Sequence, residues 1–191
     1  MNAILVPGRP DKDQHYDPNR PSNNQDFWFG WLQRQLILKD IHAVSVEPPF
    51  PFRPRYEEWR REFERFDVNQ KTILIGHSCG GGFLVRYLSE HKNLQVGKVF
   101  LVAPWINPDN NSESDTADFF DFEIDGNFPE RTRQTSVYIS SDDYSDVVKT
   151  VEILKEKVRG LTFHEFSDRG HFTKNAPDPR AFPELLEEIL K

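Results

Sequence analysis

Hydrophobic residues arrive in six short runs, at residues 3–6, 43–46, 72–75, 99–102, 136–140 and 162–166. Runs of four or five residues closed by turn residues predict strands, and the mostly unbroken apolar ones predict buried strands. Between the runs the spacing changes. Phe27, Trp31, Leu32, Gln35 and Leu36 recur at helical steps, which predicts a helix reaching about residue 39 with Asp26 as its N-cap. Tyr56, Trp59, Phe63 and Phe66 lie at i, i+3, i+7 and i+10, a helix over 56–66 with one aromatic face. Further helices are predicted over 79–91, from 144 or 146 to 158, and over 180–190. Residues 9–26 and 104–128 show no period, and the prolines of 47–54 exclude a helix there. Strands alternating with helices predict an α/β fold with a mainly parallel sheet covered on both faces. Ligands in such sheets bind beyond the carboxyl ends of the strands, so the loops after Val6, Val46, Ile75, Val102, Ser140 and Phe166 are the ones to search.

The bulk numbers narrow the function. A chain of 191 residues with 37% hydrophobic and 29% charged residues fits one globular domain over 1–191. A formal charge of −7 disfavours nucleic acid and anionic membrane surfaces as partners. No apolar run approaches the ~18 residues of a membrane span. The start of the chain lacks a basic segment and enters a strand-like run at once, so no signal peptide is expected. Cys79 is the single cysteine. Together these fit a reducing, cytoplasmic setting.

The chemistry is concentrated at Gly76-His77-Ser78-Cys79-Gly80, where a strand-like run meets a helix. G-x-S-x-G in that context predicts a nucleophile elbow, with Ser78 exposed on a strained turn. Centring the motif on Cys79 instead would put His77 where a glycine is needed, so Cys79 is read as a small buried residue whose N–H matters. A serine nucleophile needs a base and an orienting acid. Of six histidines, His171 follows the sixth strand at the right end of the sheet. His77 should point away from Ser78, and His15, His42, His91 and His164 sit where loop, strand or helix-end roles explain them. The acid should follow the fifth strand, where Asp142 and Asp143 are the candidates and Asp146 reads as a helix cap.

These pieces, with Val6-Pro7-Gly8, Trp28-Phe29-Gly30-Trp31-Leu32, Ser141-Asp142-Asp143 and Gly170-His171-Phe172, resemble the small α/β-hydrolases of the retinoblastoma-binding serine hydrolase and YdeN type. The likeness runs along nearly the whole chain in the correct order. It implies a trimmed three-layer α/β-hydrolase sandwich with six strands in the order 2-1-3-4-5-6 and no full lid domain. It puts the acid on Asp143. It also sets strands 1 and 3 side by side, which predicts an oxyanion hole from the N–H of Cys79 and an N–H after the first strand, Arg9 ahead of Gly8 because Pro10 has none. The sequence departs from the family in a longer loop over 9–26 and in Cys79, where Ser or Leu is commoner.

The expected activity is hydrolysis of carboxylic esters, thioesters, small amides or short peptides through a Ser-His-Asp triad and an acyl-enzyme, with no metal or organic cofactor. Trp105, just past the fourth strand, is a substrate-binding candidate. Seven acids and no Lys or Arg lie between Asp109 and Asp125. They read first as a solvated loop and second as a rim favouring neutral or cationic substrates. The competing reading of the whole chain is a protein-interaction module on a silent hydrolase scaffold. No L-x-C-x-E segment or other partner motif supports it.

Overall fold

The structure, a computed structural model, describes residues 1–109, 116 and 118–191. Its strands are β1 (Asn2–Val6), β2 (His42–Ser45), β3 (Thr72–His77), β4 (Val96–Val102), β5 (Thr132–Ser140) and β6 (Thr162–Phe166). Its helices are α1 (Lys12–Tyr16), α2 (Trp28–Ile37), α3 (Tyr56–Phe63), α4 (Cys79–Glu90), α5 (Ser145–Lys157) and α6 (Pro183–Leu190). All strand pairs are parallel, in the order β2-β1-β3-β4-β5-β6. This is the expected order. Every residue of β3 is buried, whereas the edge strands β2 and β6 keep partly exposed positions.

Alternation along β3 assigns the two covering layers. Successive side chains of a strand point to opposite faces. His77 meets the rings of Trp28 and Phe29 on α2, while a side chain at Gly76 would run into the backbone of Gly80 and Gly81 on α4. Helices α2 and α4 therefore cover opposite faces. On the α2 side, Phe182 at the start of α6 packs edge-on against Trp28 and Tyr138. On the α4 side, Trp59 and Phe63 of α3 pack against Phe83 and Tyr87. Each such buried ring contributes about 1.5–3 kcal/mol by leaving water. No helix among the described residues is long and apolar enough to cross a membrane.

Several boundaries differ from the sequence reading. Strands β4 and β5 begin earlier, because Val96↔Thr132 and Lys98↔Gln134 pair through backbone groups that polar side chains do not disturb. The loop over 9–26 contains α1 and a 3₁₀ turn, Asn23–Gln25. Asp26 is not the cap of α2. Phe27 is, at φ 50°, because the Asp26 carboxylate is taken by the Phe27 N–H at 2.8 Å and by the Arg20 guanidinium at 2.5 Å. That pairing staples the loop to the start of the helix.

Candidate active site

Between β3 and α4 stands Ser78, at φ 53° and ψ −122°. A non-glycine residue held there carries strain of about 1–3 kcal/mol. Its backbone is tied on both sides. The Ser78 N–H donates to the Val102 carbonyl at 2.9 Å, and its carbonyl accepts from Gly82 and Trp105 at 3.0 Å each. Close packing explains the glycines. A Cβ on Gly80 would lie 2.2 Å from the Val6 carbonyl oxygen, and one on Gly76 2.7 Å from that of Gly80. Because β1 and β3 are neighbours, the turn after β1 passes close by: a Cβ on Gly8 would sit 3.0 Å from the Ser78 Cβ.

His171 and Asp143 meet at 2.8 Å, Nδ1 to Oδ1. The Asp143 side chain is wholly buried and that of His171 is 16% exposed. With Nδ1–H donating to the carboxylate, Nε2 is left as the basic nitrogen. Asp143 Oδ1 also accepts the Tyr144 N–H at 2.7 Å. Asp142 points elsewhere. Its Oδ1 accepts the Ser140 hydroxyl at 2.5 Å and the Gly170 N–H at 2.9 Å, which hold its carboxyl below the usual range. Ser78 and His171 face one cleft. No hydrogen bond joins the serine hydroxyl to the imidazole, so of the two bonds in the expected line only that between His171 and Asp143 is formed.

The family model for serine hydrolases matches residues 20–180, a span that contains Ser78, Asp143 and His171. The chain belongs to the serine hydrolase family. It is 24% identical to YdeN of Bacillus subtilis (strain 168) over 163 residues, 81% of this chain and 82% of YdeN. It is 25% identical to serine hydrolase RBBP9 of Rattus norvegicus over 152 residues, 76% and 77% of the two chains. The crystal structure of the B. subtilis ydeN gene product superposes with a TM-score of 0.74 at 19% identity, covering all of this chain and 97% of that one. The fold is that of the α/β-hydrolases.

In this serine hydrolase the cleft has a volume of about 900 Å³. Phe27, Phe29, Trp105, Tyr144 and Val147 give it apolar walls. The loop over 9–26 forms one side, tied down by Asn23 Nδ2 donating to the Gly8 carbonyl at 2.7 Å. Arg9 and Cys79 both line the cleft. Burial pushes the Cys79 thiol up to about 12, so its sulfur is no nucleophile at neutral pH. As the first residue of α4, it carries one of the N–H groups a helix cannot satisfy internally.

None of the segment's described acids lines the cleft. Glu113 and Asp115 lie outside the described residues. Asp109 pairs with Lys149 and Asp125 with Arg131. Among the described residues the charges that line the cleft are Arg9, Arg20, Lys174 and Arg180, with Asp11, Asp26 and Asp146.

Sequence reasoning missed the work done by His77. Its ring packs on Trp28 and Phe29, and its Nε2 lies 2.9 Å from the His171 carbonyl oxygen. That nitrogen must therefore carry the proton. Burial, then the nearby His171 ring, push the His77 pKa down to about 3 from 6.5. The unfolded chain takes up this proton near pH 6.5 and the folded chain does not. The folded state is thus favoured above that pH and loses this advantage as pH falls toward 3. Thermal melts from pH 7 to pH 4 should show a steeper loss of Tm in the wild type than in His77→Phe. Parallel slopes would contradict the assignment.

Proposed function

We propose that this serine hydrolase cleaves carboxylic esters, thioesters or small amides by acyl transfer, with Ser78 as nucleophile, His171 as general base and acid, and Asp143 as the orienting carboxylate. The observation that carries the reading is the 2.8 Å bond between His171 and a fully buried Asp143, on the cleft that the strained Ser78 faces. Ser78 Oγ attacks the carbonyl carbon while His171 Nε2 takes its proton. The tetrahedral oxyanion is met by the N–H groups of Cys79 and Arg9, each such donor contributing about 3 kcal/mol. His171 returns the proton to the leaving group, then activates the water that releases the acyl chain from Ser78. Asp143 holds the imidazole tautomer and stabilises the imidazolium throughout. Trp105 and the other rings of the cleft receive the apolar part of the substrate.

The test is labelling with a fluorophosphonate probe. Stoichiometric labelling of the purified protein supports the hydrolytic reading. No labelling of well-folded protein would replace it with the interaction module.

The described charges of the cleft favour a substrate preference opposite to the one the acidic segment suggests. Arg20 and Arg180 share Asp26, at 2.5 Å and 3.5 Å, and Lys174 adds a further cation. At low salt an ester with a carboxylate in its acyl chain should show several-fold higher kcat/KM than its cationic counterpart. The gap should close near 0.5 M salt, where the screening length falls to about 4 Å. A cationic preference at low salt would overturn this.

A further inference from the structure

Four consecutive residues of the His171 loop are gripped by side chains from elsewhere in the fold. The Arg169 N–H donates to Ser140 Oγ at 3.1 Å, and the Gly170 N–H to Asp142 Oδ1 at 2.9 Å. The His171 carbonyl accepts from His77 Nε2 at 2.9 Å, and the Phe172 carbonyl from Trp28 Nε1 at 3.0 Å. The loop needs restraint, because Gly170 and Phe172 both sit at positive φ, 50° and 55°. Left alone, a segment with a non-glycine residue in that region would relax. The two amide grips come from the same β5 end that supplies Asp143. The two carbonyl grips come from the other side, from the last residue of β3 and the first of α2.

We propose that His77, seconded by Trp28, is a positioning residue for catalysis: it donates to the backbone carbonyl of His171 and so fixes the base relative to the nucleophile next to it in sequence. The inference rests on the reading of Ser78, His171 and Asp143 as the triad. The geometry gives it force. His77 and Ser78 are adjacent residues that line the same cleft, one bonded to the loop of the base at 2.9 Å and one carrying the hydroxyl. The placement of nucleophile against base then depends on one peptide unit and one hydrogen bond, with no long path through the fold. The His77 ring is itself fixed, edge-on to Trp28 and Phe29.

Its charge state suits the task. The His77 and His171 ring centroids are 4.8 Å apart, and the groups around His77 on α2 are the uncharged Trp28 and Phe29. A cation there would oppose the imidazolium that forms on His171 during each turnover. A histidine buried beyond the reach of protonation donates its bond without that penalty. Lys or Arg at this position would supply a donor and a repulsive charge together.

The test compares His77→Phe, which fills the space without a donor, with His77→Gln, whose amide nitrogen donates from a similar reach. His77→Phe should lower kcat about 10- to 100-fold with KM nearly unchanged, the size of effect expected when a reacting group is misplaced by a fraction of an ångström to one ångström. It should slow fluorophosphonate labelling in proportion and change the pH profile of kcat/KM. His77→Gln should recover most of the loss. Trp28→Phe removes the neighbouring donor together with part of the ring packed on His77, and serves as the second arm if His77→Phe folds poorly. It should lower kcat several-fold, again with little change in KM. Wild-type kcat and pH profile in a folded His77→Phe, or in a folded Trp28→Phe where only that can be measured, would overturn the proposal. Equal losses in the Phe and Gln variants would also overturn it, since packing rather than the donor would then matter. If the wild type itself is not labelled, the triad reading has failed, and that result is seen before any variant is compared.

Discussion

Ser78→Ala should remove fluorophosphonate labelling and lower ester turnover by roughly 10⁴-fold or more, while the protein still folds. The loss should be large because, in the proposed mechanism, the hydroxyl is the atom that bonds to substrate. Cys79 is buried with its thiol pushed up to about 12, so a thiolate does not take over at neutral pH. Stability should follow a different course from activity. Alanine inherits the same φ of 53°, so Ser78→Ala should melt within a few degrees of the wild type. Ser78→Gly removes the Cβ that makes this conformation unfavourable and should raise Tm. A set in which activity vanishes in both variants while only the glycine variant gains stability would show that the strain at residue 78 is retained for chemistry. Substantial residual turnover in Ser78→Ala, free of contaminating esterase, would remove Ser78 as nucleophile.

The parts of the fold that could be read from sequence are those where local pattern and global position agree. Residues 72–75 are apolar throughout because β3 is covered on both faces, and the glycines around Ser78 are forced by backbone contacts that admit no side chain. The early starts of β4 and β5 were hidden because Lys98 and Gln134 break the apolar run while their backbones still pair. Helix α1 was hidden for a related reason. It has five residues and buries none, so it leaves no period in the sequence. Asp26 looked like a cap because it precedes an apolar stretch, and its carboxylate went to Arg20 instead. The supporting roles of His77, Asp142 and Trp28 left no readable trace. Each binds a backbone group of the His171 loop, 94, 28 and 144 residues away respectively, and a backbone acceptor or donor puts no signature on the residue that carries it.

The aspartate pair gives the second large effect, and here the two side chains separate in the structure where the residue pattern left both open. Asp143→Asn should lower kcat by about 10³- to 10⁴-fold, equivalent to about 4–5.5 kcal/mol of transition-state stabilisation. An amide in that position no longer carries the charge that balances the imidazolium, and it can present N–H to Nδ1 and so select the wrong tautomer. The loss should be kinetic rather than structural. The amide is isosteric and its oxygen can still accept the Tyr144 N–H, so Tm should stay within a few degrees of the wild type. Asp142→Asn should behave differently. Its Oδ1 accepts from Ser140 and Gly170, and an amide oxygen can accept both bonds, so the His171 loop stays in place and kcat falls less than about tenfold. The two variants measured side by side, with kcat, labelling rate and Tm for each, decide the acid. Comparable losses in both would mean that the carboxylates act as one unit. A larger loss in Asp142→Asn would transfer the orienting role to Asp142, against the 2.8 Å contact between His171 and Asp143.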